Sequence, residues 1–568
     1  MQTIRFNKNA LGVLVACALF LICVISMMTS SEEPAQISHV RDVQFRSAQL
    51  DELKKSEMKR KTTKLKESTM ENLAKVEPPK VVILPPTAAE DADDLEKRIG
   101  KRHYADDPND ENDLRRQKVK EMMVHAWSGY KNYSWGSNEL KPIAKRANSQ
   151  NIFGGSHMPA TIIDAIDTLY LMDLMDEFDE ARRYIKEKFS MDSSTTTTLS
   201  VFETTIRILG GLLSTYAFTG DEVFLTKARE VGEALLPAFN TPSGIPKSNL
   251  DVKTKYASNY GWANGGQSIL AEFGSLHLEF VYLSRASKSP IFEKKVRKVR
   301  DAMDRVPKID GLYSNYVNPE TGKFAAGYHM SLGALGDSFY EYLIKSYVQS
   351  NRTDMQAKRM YWEVSKAIEA QMIRVSEKSN LTYTVELSGG MVQHKMGHLA
   401  CFVPGMFALQ AANEETHEEK ERVMKLAEEL GKTCHESYIR STTGIGPEMF
   451  YFNGVDEATS LHSENGYIQR PEVIEGWFYL WRLTGNEKYR QWIWDAIQAI
   501  DKHCRVEAGF AGLRNVYKPD QGYDDTQQSF LLAETFKYAY LAFADNSLID
   551  LNTWVFNTEA HPFPILDH

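Results

Sequence analysis

The sequence is poor in the features that announce most chemistries. Five cysteines occur in 568 residues, and the 14 histidines form no cluster with them, so the spaced His and Cys ligands of a zinc site are missing. There is no glycine-rich phosphate loop and no dinucleotide fingerprint. The Gly-x-Ser-x-Gly elbow of a serine hydrolase is missing as well. Positive charge is not in excess: the net charge is −9, and nothing calls for a nucleic-acid partner. What remains, 42% hydrophobic and 25% charged residues, is ordinary for a globular chain. The length allows several average domains or one large repetitive one.

Long uncharged runs are scarce, with one exception. Ala10–Met28 carries no charge over 19 residues, enough to span a bilayer as a helix. Arg5 and Lys8 precede it and Glu32 and Glu33 follow, which keeps residues 1–9 cytoplasmic and sends the rest to the lumen, as in a type II membrane protein. A cleaved signal peptide is the rival reading, but Met27 and Met28 suit its small-residue cut poorly. Residues 29–111 read as a largely disordered luminal stem. Asp51–Glu77 is crowded with Lys and Glu, Pro78, Pro79, Pro85 and Pro86 follow, and Asp91–Glu96 is acidic; such a stretch cannot bury a core. The globular domain, 112–568, begins where Val119, Met122, Met123 and Trp127 open a periodic apolar face. A luminal chain can carry N-glycans and disulfides, and acceptor sequons begin at Asn132, Asn351 and Asn380.

One stretch organises this domain. In Val201–Asp221, Ile206, Leu209, Leu213 and Tyr216 fall at helical spacing, and Gly220 and Asp221 end one helix and start the next. Glu203 sits in the first turn with Arg207 one turn later, a pair that alone reads as dipole complement and ion pair. The pattern recurs: seven apolar helices each run into a polar turn, and amphipathic helices return between them. The first type is apolar nearly all round, so both its faces are buried, and we expect an all-α, closed α/α toroid with these helices inside. Each carries a polar residue near its N-terminal end: Asp164 with Asp167, Glu203, Glu272, Asp337, His398, Glu472 and Glu534. In a ring these ends face one mouth. Crowding like charges raises pKa values and costs stability, which is tolerated at functional sites. Loops rich in glycine and aromatics, 260–268, 389–398 and 444–450, suit a sugar ligand, and paired carboxyls suit glycoside hydrolysis.

The motifs Asp164-Ala-Ile-Asp-Thr-Leu, Phe202-Glu-Thr-Thr-Ile-Arg-Ile-Leu-Gly-Gly-Leu-Leu, Leu335-Gly-Asp-Ser-Phe-Tyr-Glu-Tyr, Arg470-Pro-Glu-Val-Ile-Glu and Phe556-Asn-Thr-Glu-Ala-His-Pro make the chain similar to the class I α-1,2-mannosidases, glycoside hydrolase family 47. The resemblance runs from about Asn112 to the C-terminus, and the tail, span and stem resemble the Golgi members. It implies an (αα)7 barrel with residues 554–565 as a hairpin plugging one end. It implies calcium-dependent, inverting removal of terminal α-1,2-linked mannose from high-mannose N-glycans in the Golgi, with the endoplasmic reticulum as the alternative compartment. By the same resemblance Glu472 is the base and Glu203 the acid, and Asp337 and Glu448 are further acidic site residues. Which of these three delivers the proton stays open. Asp164, Arg207, His398, Arg470 and Glu475 would contact substrate. Thr558 would hold calcium through its hydroxyl and carbonyl, with waters held by Glu475, Glu534 and Glu559. Endoplasmic-reticulum members carry arginine where this chain has Leu335. An arginine fork would fix one glycan branch, whereas leucine admits several, implying trimming toward a five-mannose product. The runner-up is a glycan-binding quality-control receptor of the same fold whose chemistry is lost; the presence of every required carboxylate and of Thr558 argues against it. Cys17 and Cys23 lie in the span. Of the other three cysteines, Cys401 opens an inner helix and Cys434 closes its antiparallel partner, which sets them side by side for a disulfide. No oligomeric state is readable from the sequence.

Overall fold

The computed structural model describes Ile99 and residues 110–150 and 152–566; the expected span at Ala10–Met28 and nearly all of the expected stem lie outside the described residues. No described helix is long and apolar enough to cross a membrane.

Fourteen helices organise the described chain. In order they are α1 (Glu111–Ser134), α2 (Ala160–Leu171), α3 (Met175–Lys188), α4 (201–219), α5 (Glu222–Leu235), α6 (270–286), α7 (Ile291–Arg305), α8 (Asp337–Gln349), α9 (Met355–Met372), α10 (399–412), α11 (His417–Ile439), α12 (Glu472–Thr484), α13 (Lys488–Cys504) and α14 (531–543). The even-numbered helices form the inner layer. Every residue of α2 is buried, and so is every residue of α8 after Asp337. The odd-numbered helices cover them and bury one face; α9 buries Ala357, Met360, Tyr361, Val364, Ser365, Ile368 and Met372, at helical spacing. Each inner helix packs on the next, and α14 returns to α2, so the ring closes. The outer partner of α14 is α1, from the other end of the domain.

Local chemistry sets the helix ends. Asp110, Asp221, Asp354 and Thr416 cap outer helices α1, α5, α9 and α11 with side-chain oxygens. Inner helices α8 and α12 have no side-chain cap; they open on Asp337 and Glu472 themselves, acids favoured by the helix dipole. Gly220 (φ 66°) and Gly485 (φ 67°) end α4 and α12 in left-handed conformation. Two features have no counterpart in the periodicity: π-helical turns at Thr204–Leu209 in α4 and Leu531–Thr535 in α14.

The chain ends its described course in a hairpin, Trp554–Phe556 paired antiparallel with Pro562–Pro564. It packs on α4 and α8, with Trp554 against Phe218, Phe563 against Tyr282 and Phe556 against Phe478. Phe218 and Tyr282 lie near the C-terminal ends of α4 and α6, so the hairpin occupies the end of the ring away from the acids and points its tip inward. The disulfide joins Cys401 and Cys434 with Cα atoms 6.0 Å apart; Cys504 is a buried thiol.

Candidate active site

The N-terminal ends of the inner helices meet the hairpin tip around a cavity of about 250 Å³. Its walls include Glu203, Arg207, Glu272, Asp337, Glu341, Arg470, Glu472, Glu475, Glu534, Thr558 and Glu559, with apolar surface from Phe202, Ile206, Leu335, Leu399, Phe402 and Phe530.

The carboxyls are not equivalent. Glu472 accepts a hydrogen bond at 2.9 Å from His398 Nδ1, whose Nε2 stands 2.8 Å from the Tyr438 hydroxyl. Burial opposes ionisation of Glu472, but His398 and the charge of Arg470 more than offset it and hold the carboxyl below its ordinary range. Asp337 goes the other way. Burial, reinforced by the charges of Glu341 and Glu472, pushes it up to about 7, against the Ser338 N–H at 2.9 Å and the charge of Arg470. Glu272 is also raised to about 7, by burial and by Glu203.

Two arginines brace the walls. Arg207 Nε donates to Glu203 at 2.7 Å and its Nη1 to Glu559 at 2.5 Å, while the guanidinium lies over the Phe530 ring, 5.2 Å from its centroid. Arg470 Nε donates to Glu448 at 2.6 Å. Around Thr558 the carboxyls are densest. Burial, reinforced by neighbouring carboxylates (Glu341 and Glu472 at Glu475; Glu559, Glu472 and Glu475 at Glu534; Asp164 and Glu203 at Glu559), raises all three well above the ordinary range, although Lys345 opposes this at Glu475 and Arg207 at the other two. Beneath the cavity lies a second, sealed network. Asp164 accepts from the Ser529 hydroxyl and from His561 Nε2 at 3.1 Å; Asp167 accepts from His561 Nδ1 and Lys537, each at 2.8 Å, and from Ser214 at 2.9 Å.

Residues 122–565 match glycosyl hydrolase family 47. The chain belongs to that family. A Caenorhabditis elegans protein named mannosyl-oligosaccharide 1,2-alpha-mannosidase is 65% identical across 100% of both chains. The Sus scrofa mannosyl-oligosaccharide 1,2-alpha-mannosidase IA is 50% identical over 80% of this chain and 68% of its own. Among solved structures, an alpha-1,2-mannosidase from Trichoderma reesei superposes with a TM-score of 0.72 at 27% identity, covering 80% of this chain and 99% of the other.

In this family 47 chain most of the residues singled out in the sequence come together. Glu203, Arg207, Asp337, Arg470, Glu472, Glu475, Glu534, Thr558 and Glu559 all line the cavity. Three do not. His398 is 1% exposed and stands behind Glu472; Asp164 is 0% exposed in the sealed network; Glu448 reaches the cavity only through Arg470. Leu335 lines the wall rather than the core, with φ 78°, an uncommon backbone for a leucine. Sequence reasoning passed over Glu341, Phe530 and buried Glu139, which accepts the Ser529 N–H at 3.0 Å. Glu341 had a signal, one turn after Asp337 on the same helix face. The other two had none.

Proposed function

We propose that this chain removes terminal α-1,2-linked mannose from high-mannose N-glycans with inversion, Glu472 acting as base and Asp337 as acid. The observation that carries the reading is the pair of opposite proton affinities on one cavity. A carboxyl held ionised activates water, and one held protonated gives its proton to the leaving oxygen. Glu203, in an ion pair with Arg207, serves better to orient water and substrate, and Glu448, in an ion pair with Arg470, to hold that arginine in the wall. Arg207, Arg470 and Glu475 would contact the sugar.

The donor set fits calcium. Thr558 offers hard oxygen ligands through its hydroxyl and carbonyl, and Glu475, Glu534 and Glu559 place three buried carboxyls beside it whose ionised form a cation would favour. Among the described residues no three His, Cys, Asp or Glu side chains group to hold a metal ion directly, which agrees with carboxylates that act through water. When bound, calcium supplies coordination sites for water and sugar hydroxyls. We place the enzyme in the Golgi lumen, anchored by Ala10–Met28, with 112–568 as the catalytic domain. Leu335 at the wall supports broad trimming toward five mannoses.

Incubation of the protein with a high-mannose glycan, with and without chelator, tests this by mass and by NMR of the first-formed sugar. We expect stepwise loss of mannose, β anomer first, abolished by the chelator. An α product at early times would overturn the inverting assignment, and undiminished turnover in chelator would overturn the calcium assignment.

A further inference from the structure

Behind Thr558 lies a buried group of polar side chains that the reaction above does not use. Glu279 on α6 is 0% exposed. Its Oε1 accepts from the Tyr342 hydroxyl at 2.6 Å and from Asn557 Nδ2 at 2.8 Å. Tyr342, on α8, in turn accepts the backbone N–H of Thr558 at 3.2 Å. Asn557 Nδ2 also donates to the Ile206 carbonyl at 2.9 Å, inside the π-helical turn of α4. Its Oδ1 accepts the N–H groups of Glu559 at 2.9 Å and His561 at 2.8 Å.

These contacts fasten the peptide groups on both sides of Thr558. The peptide that carries the Thr558 carbonyl also carries the Glu559 N–H. In a planar trans peptide the two point in opposite directions, so tying the N–H to Asn557 aims the carbonyl. Asn557 can do this only with its oxygen toward Glu559, and that orientation is selected by the two acceptors facing its NH2 group, Ile206 O and Glu279 Oε1. Glu279 thus ends two chains of hydrogen bonds, one to each side of Thr558. A buried acid in this position is unfavourable as packing alone, since an aliphatic side chain of similar size avoids the desolvation.

We propose that Glu279 is a positioning residue for the cation. Through Asn557 and Tyr342 it aims the Thr558 hydroxyl and carbonyl, and so sets calcium affinity without touching calcium or glycan. The proposal rests on the reading of Thr558 as the calcium-holding residue.

The test is calorimetric titration of chelator-stripped full-length protein with calcium alone. Glu279→Leu is expected to weaken binding about 10- to 100-fold, the range for partners that orient a metal ligand. Glu279→Gln keeps an acceptor for both donors and is expected within about 3-fold of the unaltered chain. Tyr342→Phe cuts one tie and is expected to fall between. Thermal unfolding in chelator, where no cation is bound, reports whether each variant is folded. A folded Glu279→Leu chain with unaltered calcium affinity would overturn the proposal, and so would Glu279→Gln binding as weakly as the leucine variant. Should the leucine variant not fold, unchanged affinity in Tyr342→Phe overturns it instead. An unaltered chain that takes up no calcium would sink the Thr558 reading itself, a result distinct from all of these.

Discussion

Asp337 and Glu472 face one cavity from two inner helices and hold their protons with opposite strength, which gives the reaction a window of pH. Glu472 must be ionised, so the rate should rise only as pH passes a value below the ordinary 4.5. As the proposed acid Asp337 must be protonated, so the rate should fall as pH rises through about 7. A profile of kcat/KM against pH checks both limbs, and an alkaline limb unmoved in an Asp337 variant would take the acid role from it. Glu472→Gln keeps size and hydrogen bonding and should lower turnover by about 100-fold or more, the worth of a general base. The same Asp337 carries a stability cost. Its folded pKa is raised above its unfolded value, so its contribution is fully favourable below about 4 and is lost as pH rises through about 7. At pH 7.5 Asp337→Asn should therefore inactivate the enzyme and yet raise its melting temperature. Leu335→Arg should narrow the product range in a glycan time course, because the side chain would enter the cavity wall that Leu335 already occupies.

The inner helices were legible because an apolar stripe all round and an acid at the start recur along the chain. The structure adds what spacing cannot carry. A π-helical turn inserts one residue into a helix without changing its apolar pattern, and in α4 it sets Arg207 between Glu203 and Glu559. The glycines after it had a motif but no stated reason. A Cβ at Gly211 would stand 2.3 Å from the Ile163 carbonyl, and one at Gly210 would stand 2.8 Å from Asn557 Nδ2. Gly211→Ala must push backbone apart, so it should destabilise the fold by about 1–3 kcal/mol in thermal unfolding. The disulfide was readable from antiparallel geometry alone, and Cys434→Ser should cost about 3–4 kcal/mol in the chain-entropy view. Thr558, Asn557 and Glu279 were the opposite case. Each is an ordinary residue type whose role depends on partners hundreds of positions away, such as Asn557 with Ile206, and only the family motif pointed to Thr558.

At the scale of the molecule, the seven inner and seven outer helices foreseen from the repeat are all present, and one residue ahead of the expected domain start also packs on them. Ile99 lies before the expected start at residue 112, yet it is 1% exposed and its carbonyl accepts the Ile549 N–H at 2.9 Å. A chain beginning at Asn112 should melt below one beginning at Glu90, by an amount consistent with losing the burial of one isoleucine, about 1.5–3 kcal/mol, with turnover unchanged. Equal melting would return the boundary to 112.

The ring is sealed by its extremities. The first outer helix covers the last inner one, and the tip that brings Thr558 into the cavity follows all fourteen helices in chain order. During synthesis, 394 residues separate Asp164 from Thr558, roughly 20–80 s of translation at the usual pace. For that interval α1 has emerged without α14, the inner helix it covers. The nascent chain is expected to stay without activity and in need of chaperone protection until its final stretch is released. Ribosome-bound chains stalled before α14 should remain open to protease at α1, while released chains resist it.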